Sequence, residues 1–383
     1  MERRKFLALG GASLALLSSA TLGNPLKPNK SKPKFIWLVL RGALDSLHTL
    51  VPTFETELES HRPKLFGSIK EDLLPISDSF ALHPALKNLH QWYGQKELLP
   101  VVAVSTGYDG RSHFDGQDFM ESGLGKIEHD SGWIARALES KGKSGIAISR
   151  SIPIAMRGSD RTTNWFPSRM DGSGEEIYQS ILNLYQYEPA LANNFEKGLS
   201  MKAAAAGQMG SSRPGAFPEL AEACAKLMLA DNTLDCALLE LDGWDTHNRQ
   251  APRLNTKLAE LDQGLSALKQ ALGPEWDNTV IAVSTEFGRT IRENGTAGTD
   301  HGTGSAMFLA GGAVDGGRIL GQWPGLKPKQ LFENRDLQPT SNVYDWLADA
   351  LQQHWQLNRT QTAAIFPTGK ARGEQLIRDR ATA

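Results

Sequence analysis

Carboxylate and imidazole side chains are concentrated in five short segments of the sequence, each of which adjoins a run of apolar residues. The segments are Arg41–Ser46, Ser105–Asp115, Asp242–His247, Glu286–Arg289 and Thr299–Gly302. Oxygen and nitrogen atoms of Asp, Glu and His are the groups that bind Zn²⁺, Mn²⁺, Mg²⁺ or Ca²⁺ in proteins. If these segments meet in the folded chain, we expect a divalent metal site there.

Most of the segments also have a purely structural explanation. Asp45 and Ser112 could each cap the helix that follows its strand. The segment Glu286–Arg289 could hold an internal ion pair, and the Gly-rich stretch around His301 could be a mobile turn. Asp242–His247 is harder to explain in this way, because it carries three ionisable side chains in six residues. We interpret that segment as functional.

Apolar runs of strand length precede four of the segments and follow the fifth. They are 35–40, 98–104, 146–148, 237–241, 279–285 and 306–310. Amphipathic stretches separate them, the clearest at 253–272, where leucines recur at spacings of four and three. Strands that alternate with such helices predict an α/β fold, with a mostly parallel sheet and helices on both faces. Since ligands bind beyond the carboxyl ends of such strands, the five segments are expected on one face.

The first residues have the features of an export signal. Arg3 and Arg4 precede an apolar run from Phe6 to Leu17, and small residues follow as far as Ala20. The paired arginines predict a twin-arginine signal peptide, a partnership with the twin-arginine export machinery, and a periplasmic or secreted location.

The remaining chain is predicted to hold one domain. Residues 1–20 are the signal and the Pro- and Lys-rich residues 21–34 a linker, which leaves 35–383 as a single domain. Strand signals are few over about 152–215, so this stretch is predicted to be a helical and loop insertion that caps the sheet.

Composition excludes several classes of protein. The net charge of −2, from 41 basic and 43 acidic residues, argues against a nucleic-acid-binding surface. No apolar run of about 18 residues follows the signal, so no transmembrane segment is predicted in the mature chain. Cys224 and Cys236 are too few for a disulfide scaffold or a Cys-rich metal site. Two buried thiols or a single bridge remain as alternatives for them.

Five motifs occur in order along the chain. They are Arg-Gly-x-x-Asp at 41–45, Arg-Ser-His-Phe-Asp-x-Gln at 111–117, Gly-Trp-Asp-Thr-His at 243–247, Thr-Glu-Phe-Gly-Arg at 285–289 and Asp-His-Gly at 300–302. In this order they resemble DUF1501, a family of twin-arginine-exported bacterial proteins that is similar to the alkaline phosphatase and sulfatase superfamily. The resemblance runs from about Phe35 to a helix at Thr340–Leu351 and implies an alkaline phosphatase-like fold.

The first loop departs from the family pattern. The family usually reads Gly-Gly-x-Asp-Gly-Leu-Asn, whereas this chain has Gly42-Ala43-Leu44-Asp45-Ser46-Leu47-His48. Ala43 in place of the second glycine makes this loop bulkier.

The resemblance implies a role for each motif. In the superfamily an Asp after the first strand binds metal, and a nucleophile stands at a helix N-terminus after the second strand, where Ser112 is the match. The implied metal ligands are Asp45, Asp242 or Asp245, His247, Glu286 and His301. Phe287 stands where the superfamily has a histidine ligand, and phenylalanine cannot bind a metal. A two-zinc site is therefore doubtful, and one divalent ion, with Zn, Mn, Mg and Ca unresolved, or none is expected.

We therefore predict a secreted, metal-assisted hydrolase in which Ser112 attacks a small anionic phosphate or sulfate ester. Arg111 or Arg289 would hold the non-bridging oxygens of the ester. His113 or His247 would protonate the leaving group.

Two other classes of function remain open. The first is a non-catalytic exported binding protein on the same fold with a decayed site. The second is a metal-free hydrolase that uses Asp242 and Asp245 as paired carboxylates. Convergence of the predicted ligands distinguishes metal-assisted hydrolysis from the first alternative.

Overall fold

The computed structural model describes residues 32–167 and 175–379, with gaps at 186, 190, 193–194, 197 and 200–214. The signal peptide predicted for 1–20 and nearly all of the linker predicted for 21–34 lie outside the described residues. So does part of the insertion predicted over 152–215. The description below concerns the unit that begins at Pro33.

Eleven strands form two sheets within the described residues. The strands are β1 Lys34–Arg41, β2 Leu50–Pro52, β3 Leu74–Pro75, β4 Phe80–Leu82, β5 Leu98–Ser105, β6 Ser144–Ile148, β7 Thr162–Trp165, β8 Leu234–Asp242, β9 Thr279–Ser284, β10 Ser305–Ala310 and β11 Ser341–Asn342. All six apolar runs predicted as strands are found here. The small sheet β2–β4–β3 is antiparallel and was not predicted, because its strands have only two or three residues each.

Helices lie between the strands. They are α1 Ser46–Thr49, α2 Glu57–His61, α3 Pro63–Gly67, α4 Lys87–Gly94, α5 His113–Ser122, α6 Trp133–Lys141, α7 Glu175–Leu184, α8 Phe217–Ala230, α9 Gln250–Leu272, α10 Val343–Trp355 and α11 Arg359–Ile365. Short 3₁₀ helices occupy Ile154–Met156, Gly273–Asn278 and Pro328–Gln330. In the described part of the chain, no helix combines the length and apolar character needed to cross a bilayer.

The large sheet has the strand order β11–β5–β10–β9–β1–β8–β6–β7. All its neighbouring pairs are parallel except those that β10 makes with β5 and β9. Strand β7 lies at one edge although its residues fall in the range predicted to cap the sheet. Its sequence Thr-Thr-Asn-Trp is too short and too polar to signal a strand.

Both faces of the large sheet are covered. Along β1, Ile36, Leu38 and Leu40 pack on the side of α8 and α9, and the alternate residues pack on the side of α6 and α10. The leucines of the predicted helix 253–272 are buried in α9, since they share one helix face. The predicted α/β class, with a mostly parallel sheet and helices on both faces, is confirmed. Cys224 and Cys236 are free, buried thiols.

Candidate metal centre

Three imidazoles and one carboxylate converge at the end of the large sheet where its parallel strands finish. The Nε2 atoms of His113 and His247 each lie 2.9 Å from Nε2 of His301. Oδ1 of Asp245 lies 3.0 Å from Nε2 of His247, 3.3 Å from that of His301 and 3.4 Å from that of His113. We call these four residues the His–Asp cluster. Ligand atoms of His113, Asp245 and His301 all lie within 4.8 Å of one another, which is close enough to hold one metal ion.

The sheet topology brings these residues together. Asp245 and His247 follow the carboxyl end of β8, and His113 is the first residue of α5, after β5. His301 instead precedes β10. Because β10 runs against its neighbours, its first residues lie at the same edge as the carboxyl ends of the parallel strands. Ligands at this end of the sheet therefore come from the loops that follow parallel strands and also from the loop that precedes β10.

Two glycines allow the backbone to place His301. The amide of Gly302 donates to the carbonyl of Gly288 at 2.8 Å. A Cβ atom on Gly288 would lie 1.8 Å from the carbonyl oxygen of Gly304, and one on Gly302 would lie 2.4 Å from the carbonyl carbon of Arg289. The glycines of the Thr-Glu-Phe-Gly-Arg and Asp-His-Gly motifs are therefore required by this close backbone approach.

Each imidazole of the cluster presents its other nitrogen, Nδ1, to an oxygen acceptor. The pairs are His113 with Oε1 of Glu286 at 2.8 Å, His247 with Oδ1 of Asp300 at 3.3 Å, and His301 with the carbonyl of Arg111 at 2.8 Å. A carbonyl or an ionised carboxylate only accepts hydrogen bonds, so each Nδ1 carries the proton. The Nε2 lone pairs consequently face one another inside the cluster, as in metal-binding histidines.

This arrangement is electrostatically unfavourable without a cation. Nε2 of His301 has one lone pair but faces two other imidazole nitrogens at 2.9 Å. A proton on one of them relieves one contact and leaves the other. A divalent cation would attract all three nitrogens and the Asp245 carboxylate at once, and a set of imidazole and carboxylate donors suits Zn²⁺ or Mn²⁺. The donor set therefore fits a metal ion.

Arg289 holds the Asp245 carboxylate in place. Its Nη2 donates to Oδ1 of Asp245, and also to the carbonyls of Gly42 at 2.9 Å and Trp244 at 3.1 Å. Burial alone would raise the pKa of Asp245, but the hydrogen bond and charge of Arg289 lower it to about 2. Asp245 is therefore ionised near neutral pH. Arg289 is 2 % exposed, so its guanidinium does not face solvent.

Glu286 lies behind His113 rather than in the cluster. It is buried, and its Oε1 accepts from the amide of Gly42 at 2.8 Å and from Nε2 of Gln117 at 3.0 Å. Burial alone would raise the pKa of Glu286, but hydrogen bonds from His113 and Gln117 hold it below its usual range. For His113, burial alone would lower the pKa, whereas Glu286 raises it above the usual value. In His301, burial lowers the pKa.

The structure does not bring Asp45 into the cluster. Both of its oxygens accept from Nη1 of Arg62, at 2.8 and 2.7 Å, and Oδ2 also accepts from Gln250. Asp45 and Arg62 are each 1 % exposed. The carboxylate implied as a metal ligand is thus used in a buried ion pair, and it makes no side-chain cap to α1 either.

Asp242 also lies apart from the cluster. It is exposed and lines a cavity of about 610 Å³ together with Arg41, Glu121 and Glu240. Of the two carboxylates implied as alternatives, the structure therefore places Asp245 with the histidines. Asp242 and Asp245 therefore have different surroundings, since Asp242 lines the cavity and Asp245 contacts the histidines and Arg289.

Ser112 and Arg111 are adjacent to the cluster but already have partners. Oγ of Ser112 accepts from the amide of Asp115 at 3.3 Å and caps α5. The guanidinium of Arg111 donates to Glu333 at 2.8 Å and to Asp336 at 3.4 Å. Ser112 therefore caps α5, which is the structural role that the sequence allowed for it.

Two residues that contact the carboxylates behind the cluster were not assigned roles from the sequence. Gln117 contacts Glu286, and Asn294 Nδ2 donates to Oδ1 of Asp300 at 3.1 Å. Gln117 could have been found from the sequence, because it follows His113 by four residues and the two therefore lie on one face of a helix. Asn294 is followed by glycine, which indicates only a turn.

Comparison with known proteins gives one family. The family model described as "Protein of unknown function (DUF1501)" matches residues 32–366. No curated protein matches the chain.

Similar solved structures include three from bacteria. The phosphonate monoester hydrolase of Agrobacterium radiobacter shares 9% identity over 85% of this chain and 74% of that one, with a TM-score of 0.41. A protein in the alkaline phosphatase superfamily from Vibrio parahaemolyticus shares 13% identity over 92% and 75%, with a TM-score of 0.35. The alkaline phosphatase from the Antarctic bacterium TAB5 shares 13% over 73% and 92%, with a TM-score of 0.32.

Proposed function

We propose that this chain, which belongs to the DUF1501 family, is a metal-assisted hydrolase of small anionic phosphate or sulfate esters. The observation that carries the proposal is the convergence of three imidazole Nε2 atoms and the Asp245 carboxylate, with every Nδ1 held by an acceptor. The proposed ligands are His113, Asp245, His247 and His301. The twin-arginine signal predicted at 1–20 would place the protein in the periplasm or outside the cell.

The proposed ligand set revises the one implied by sequence. His113 moves from a general acid to a ligand, because its Nε2 faces the cluster. Glu286 moves from a ligand to the acceptor that orients His113, and Asp45 and Asp242 leave the set. A divalent cation held there would offset the charge of an anionic ester and of its transition state.

Ser112 is the proposed nucleophile. It directly precedes His113, so its hydroxyl is carried at the N-terminus of α5, where backbone amides favour an anionic group. Its oxygen would bond to phosphorus or sulfur as the bond to the leaving oxygen breaks, with the hydroxyl proton passing through water to the departing oxygen. Water would then cleave the serine ester and release phosphate or sulfate. Arg111 is the partly exposed guanidinium nearest in sequence to this group, with 40% of its side chain accessible.

A second candidate is an exported metal-binding protein without hydrolase activity. The observation that favours it is the engagement of both predicted anion-binding arginines. Arg289 is buried and bonded to the protein, and Arg111 is paired with Glu333 and Asp336. Both guanidinium groups already donate to acceptors of the protein in this arrangement.

Two measurements on the purified protein test the proposal. Metal content is determined by mass spectrometry, and turnover of aryl phosphate, sulfate and phosphonate esters is followed with and without a chelator. We expect one bound divalent ion and turnover that chelation abolishes. A bound metal with no turnover of any ester supports the second candidate, and turnover that resists chelation contradicts the role of the metal.

A further inference from the structure

The two carboxylates that orient outer histidines of the cluster are themselves held by carboxamides. Nε2 of Gln117 donates to Oε1 of Glu286 at 3.0 Å, behind His113. Nδ2 of Asn294 donates to Oδ1 of Asp300 at 3.1 Å, behind His247. The same hydrogen-bonded series of a carboxamide, a carboxylate and an imidazole is thus found on two sides of the cluster.

The orientation of the Gln117 carboxamide is fixed by its other neighbour. Nη1 of Arg41 donates to Oε1 of Gln117 at 2.7 Å. A guanidinium only donates, so the oxygen of Gln117 must face Arg41 and its amide nitrogen must face Glu286. Arg41 is in turn held by ion pairs with Glu121, at 2.6 Å, and Glu240.

Asn294 is fixed by the backbone of its own loop. Its Oδ1 accepts from the amides of Thr296 and Gly298, each at 3.0 Å. Its Nδ2 therefore faces the other way, where it donates to Asp300 and to the carbonyl of His247 at 2.9 Å.

We propose that Gln117 and Asn294 are positioning residues of the metal centre, each holding a carboxylate so that it accepts from Nδ1 of one histidine. A carboxylate that accepts from Nδ1 keeps the Nε2 lone pair directed at the metal. Neither carboxamide contacts an imidazole or the Asp245 carboxylate, so each acts on the ligand side chains through Glu286 or Asp300, although Asn294 also donates to the backbone carbonyl of His247. The inference rests on the proposed function, because it assumes that the cluster binds a metal ion.

Isosteric substitutions separate this role from packing. Gln117→Glu and Asn294→Asp keep the oxygen that accepts from Arg41 or from the loop amides, and they remove the donor to the carboxylate. Asn294→Asp also removes the donor to the carbonyl of His247. Asn88→Asp is a matched control, because Nδ2 of Asn88 donates to Oδ2 of Asp262 at 2.7 Å outside the cluster. All three variants place two carboxylates together.

The readouts are the dissociation constant for Zn²⁺, by competition with a chromophoric chelator, and the visible absorption of bound Co²⁺. We expect Gln117→Glu and Asn294→Asp to bind Zn²⁺ about 10- to 100-fold more weakly and to change the Co²⁺ spectrum. The control is expected to lower the melting temperature and leave both readouts unchanged. If the carboxylate variants do not fold, Gln117→Met and Asn294→Ala remove the donor without adding charge and are expected to give the same loss.

Three outcomes overturn the inference. Wild-type affinity and spectrum in both cluster variants contradict it while leaving the metal site intact. An equal loss of affinity in Asn88→Asp shows that stability alone is responsible. A wild-type protein that binds neither Zn²⁺ nor Co²⁺ rejects the proposed metal centre itself, and the positioning role with it.

Discussion

The ring of Phe287 lies against the ring of His113, with centroids 4.9 Å apart and planes inclined by 24°. Phe287 is 2 % exposed, and its centroid is 5.3 Å from that of His301. Phe287 therefore packs on two of the proposed ligands. The Phe287 ring forms an apolar surface that restricts rotation of the His113 imidazole, while Glu286 accepts the hydrogen bond from His113 Nδ1.

Replacing Phe287 tests this packing. Phe287→Leu removes the aromatic face, and stacked pairs contribute about 0.5–1.5 kcal/mol beyond their buried area. We expect Zn²⁺ affinity to fall about 2- to 10-fold in a competition titration. Phe80→Leu is a control for the stability cost, since Phe80 is buried among Phe54 and Trp323 away from the cluster. Equal Zn²⁺ affinity in the two variants contradicts the role given to Phe287.

Metal binding is expected to stabilise the folded chain. Free Zn²⁺ at 100 times its dissociation constant would add about 2.7 kcal/mol to the free energy of unfolding. His301→Ala should abolish the increase in melting temperature, because His301 contacts both other histidines. His129, whose side chain is 61% exposed, provides a control in His129→Ala. The increase should weaken as the pH falls, since protons compete for the imidazoles; no increase in the wild type rejects the site.

Asp45→Asn is expected to cost stability rather than metal affinity. It leaves the buried Arg62 guanidinium without its counter-charge, at a cost of about 3–5 kcal/mol. Urea unfolding measures this cost, and a competition titration should give an unchanged dissociation constant for Zn²⁺. A large loss of Zn²⁺ affinity at retained fold would return Asp45 to the ligand set.

The ion pair also predicts a pH dependence. Burial alone would raise the pKa of Asp45, but Arg62 holds it below its usual range. A carboxyl whose pKa is lowered on folding stabilises the protein above its unfolded pKa of about 3.9, and this contribution is lost as the pH falls through the folded pKa. The difference in free energy of unfolding between wild type and Asp45→Asn should therefore shrink towards low pH. A constant difference contradicts this.

Ser112→Ala separates capping from catalysis. Loss of the N-cap should lower the free energy of unfolding by about 1 kcal/mol. If Ser112 is the nucleophile, turnover of a responsive ester should also be lost. Asn358→Ala removes a comparable cap from α11, where the Asn358 side chain accepts from the amide of Gln361 at 2.9 Å. That variant should lose similar stability and keep turnover. Wild-type turnover in Ser112→Ala rules out the proposed nucleophile.

The departure in the first loop has a measurable conformational cost. Ala43 adopts a φ of 68° and is fully buried. An L-residue other than glycine in this left-handed region is strained by about 1–2 kcal/mol, partly offset by the greater freedom of glycine in the unfolded chain. We expect Ala43→Gly to raise the free energy of unfolding by up to about 1 kcal/mol. Ala259→Gly, inside α9, should lower the free energy of unfolding by a similar amount. A change of the same sign in both variants contradicts backbone strain at Ala43.

The sequence predicted the layers of the fold because hydrophobic periodicity is a local property. The apolar runs that became β1, β5, β6, β8, β9 and β10, and the leucine spacing of α9, require no knowledge of distant residues. Strand β7 and the small sheet were missed because their strands are too short to show any period. The edge at which the polar segments meet could be predicted, since it follows from a parallel sheet.

The composition of the site was only partly predictable. Asp245, His247 and His301 were named as ligands and do converge, whereas Asp45 pairs with Arg62, 17 residues away. That partner is invisible to motif analysis, because Arg62 stands in an unremarkable polar stretch. Whether a carboxylate faces a guanidinium or an imidazole is decided by tertiary packing. Glu286 lies outside the cluster for the same reason, since its carboxylate contacts the loop after β1 and the first residue of α5.

The segments that build the cluster are remote along the chain. His113 and His301 are separated by 188 residues, and the Glu286 carboxylate accepts from an amide 244 residues away. Closing loops of this size is slow relative to forming local helices, so folding reaches these contacts after local structure is in place. Strands β5, β8 and β10, which adjoin the four ligands, must also be in place before the ligand atoms can meet. A metal ion at the proposed centre would therefore bind only to a chain whose distant segments have already assembled.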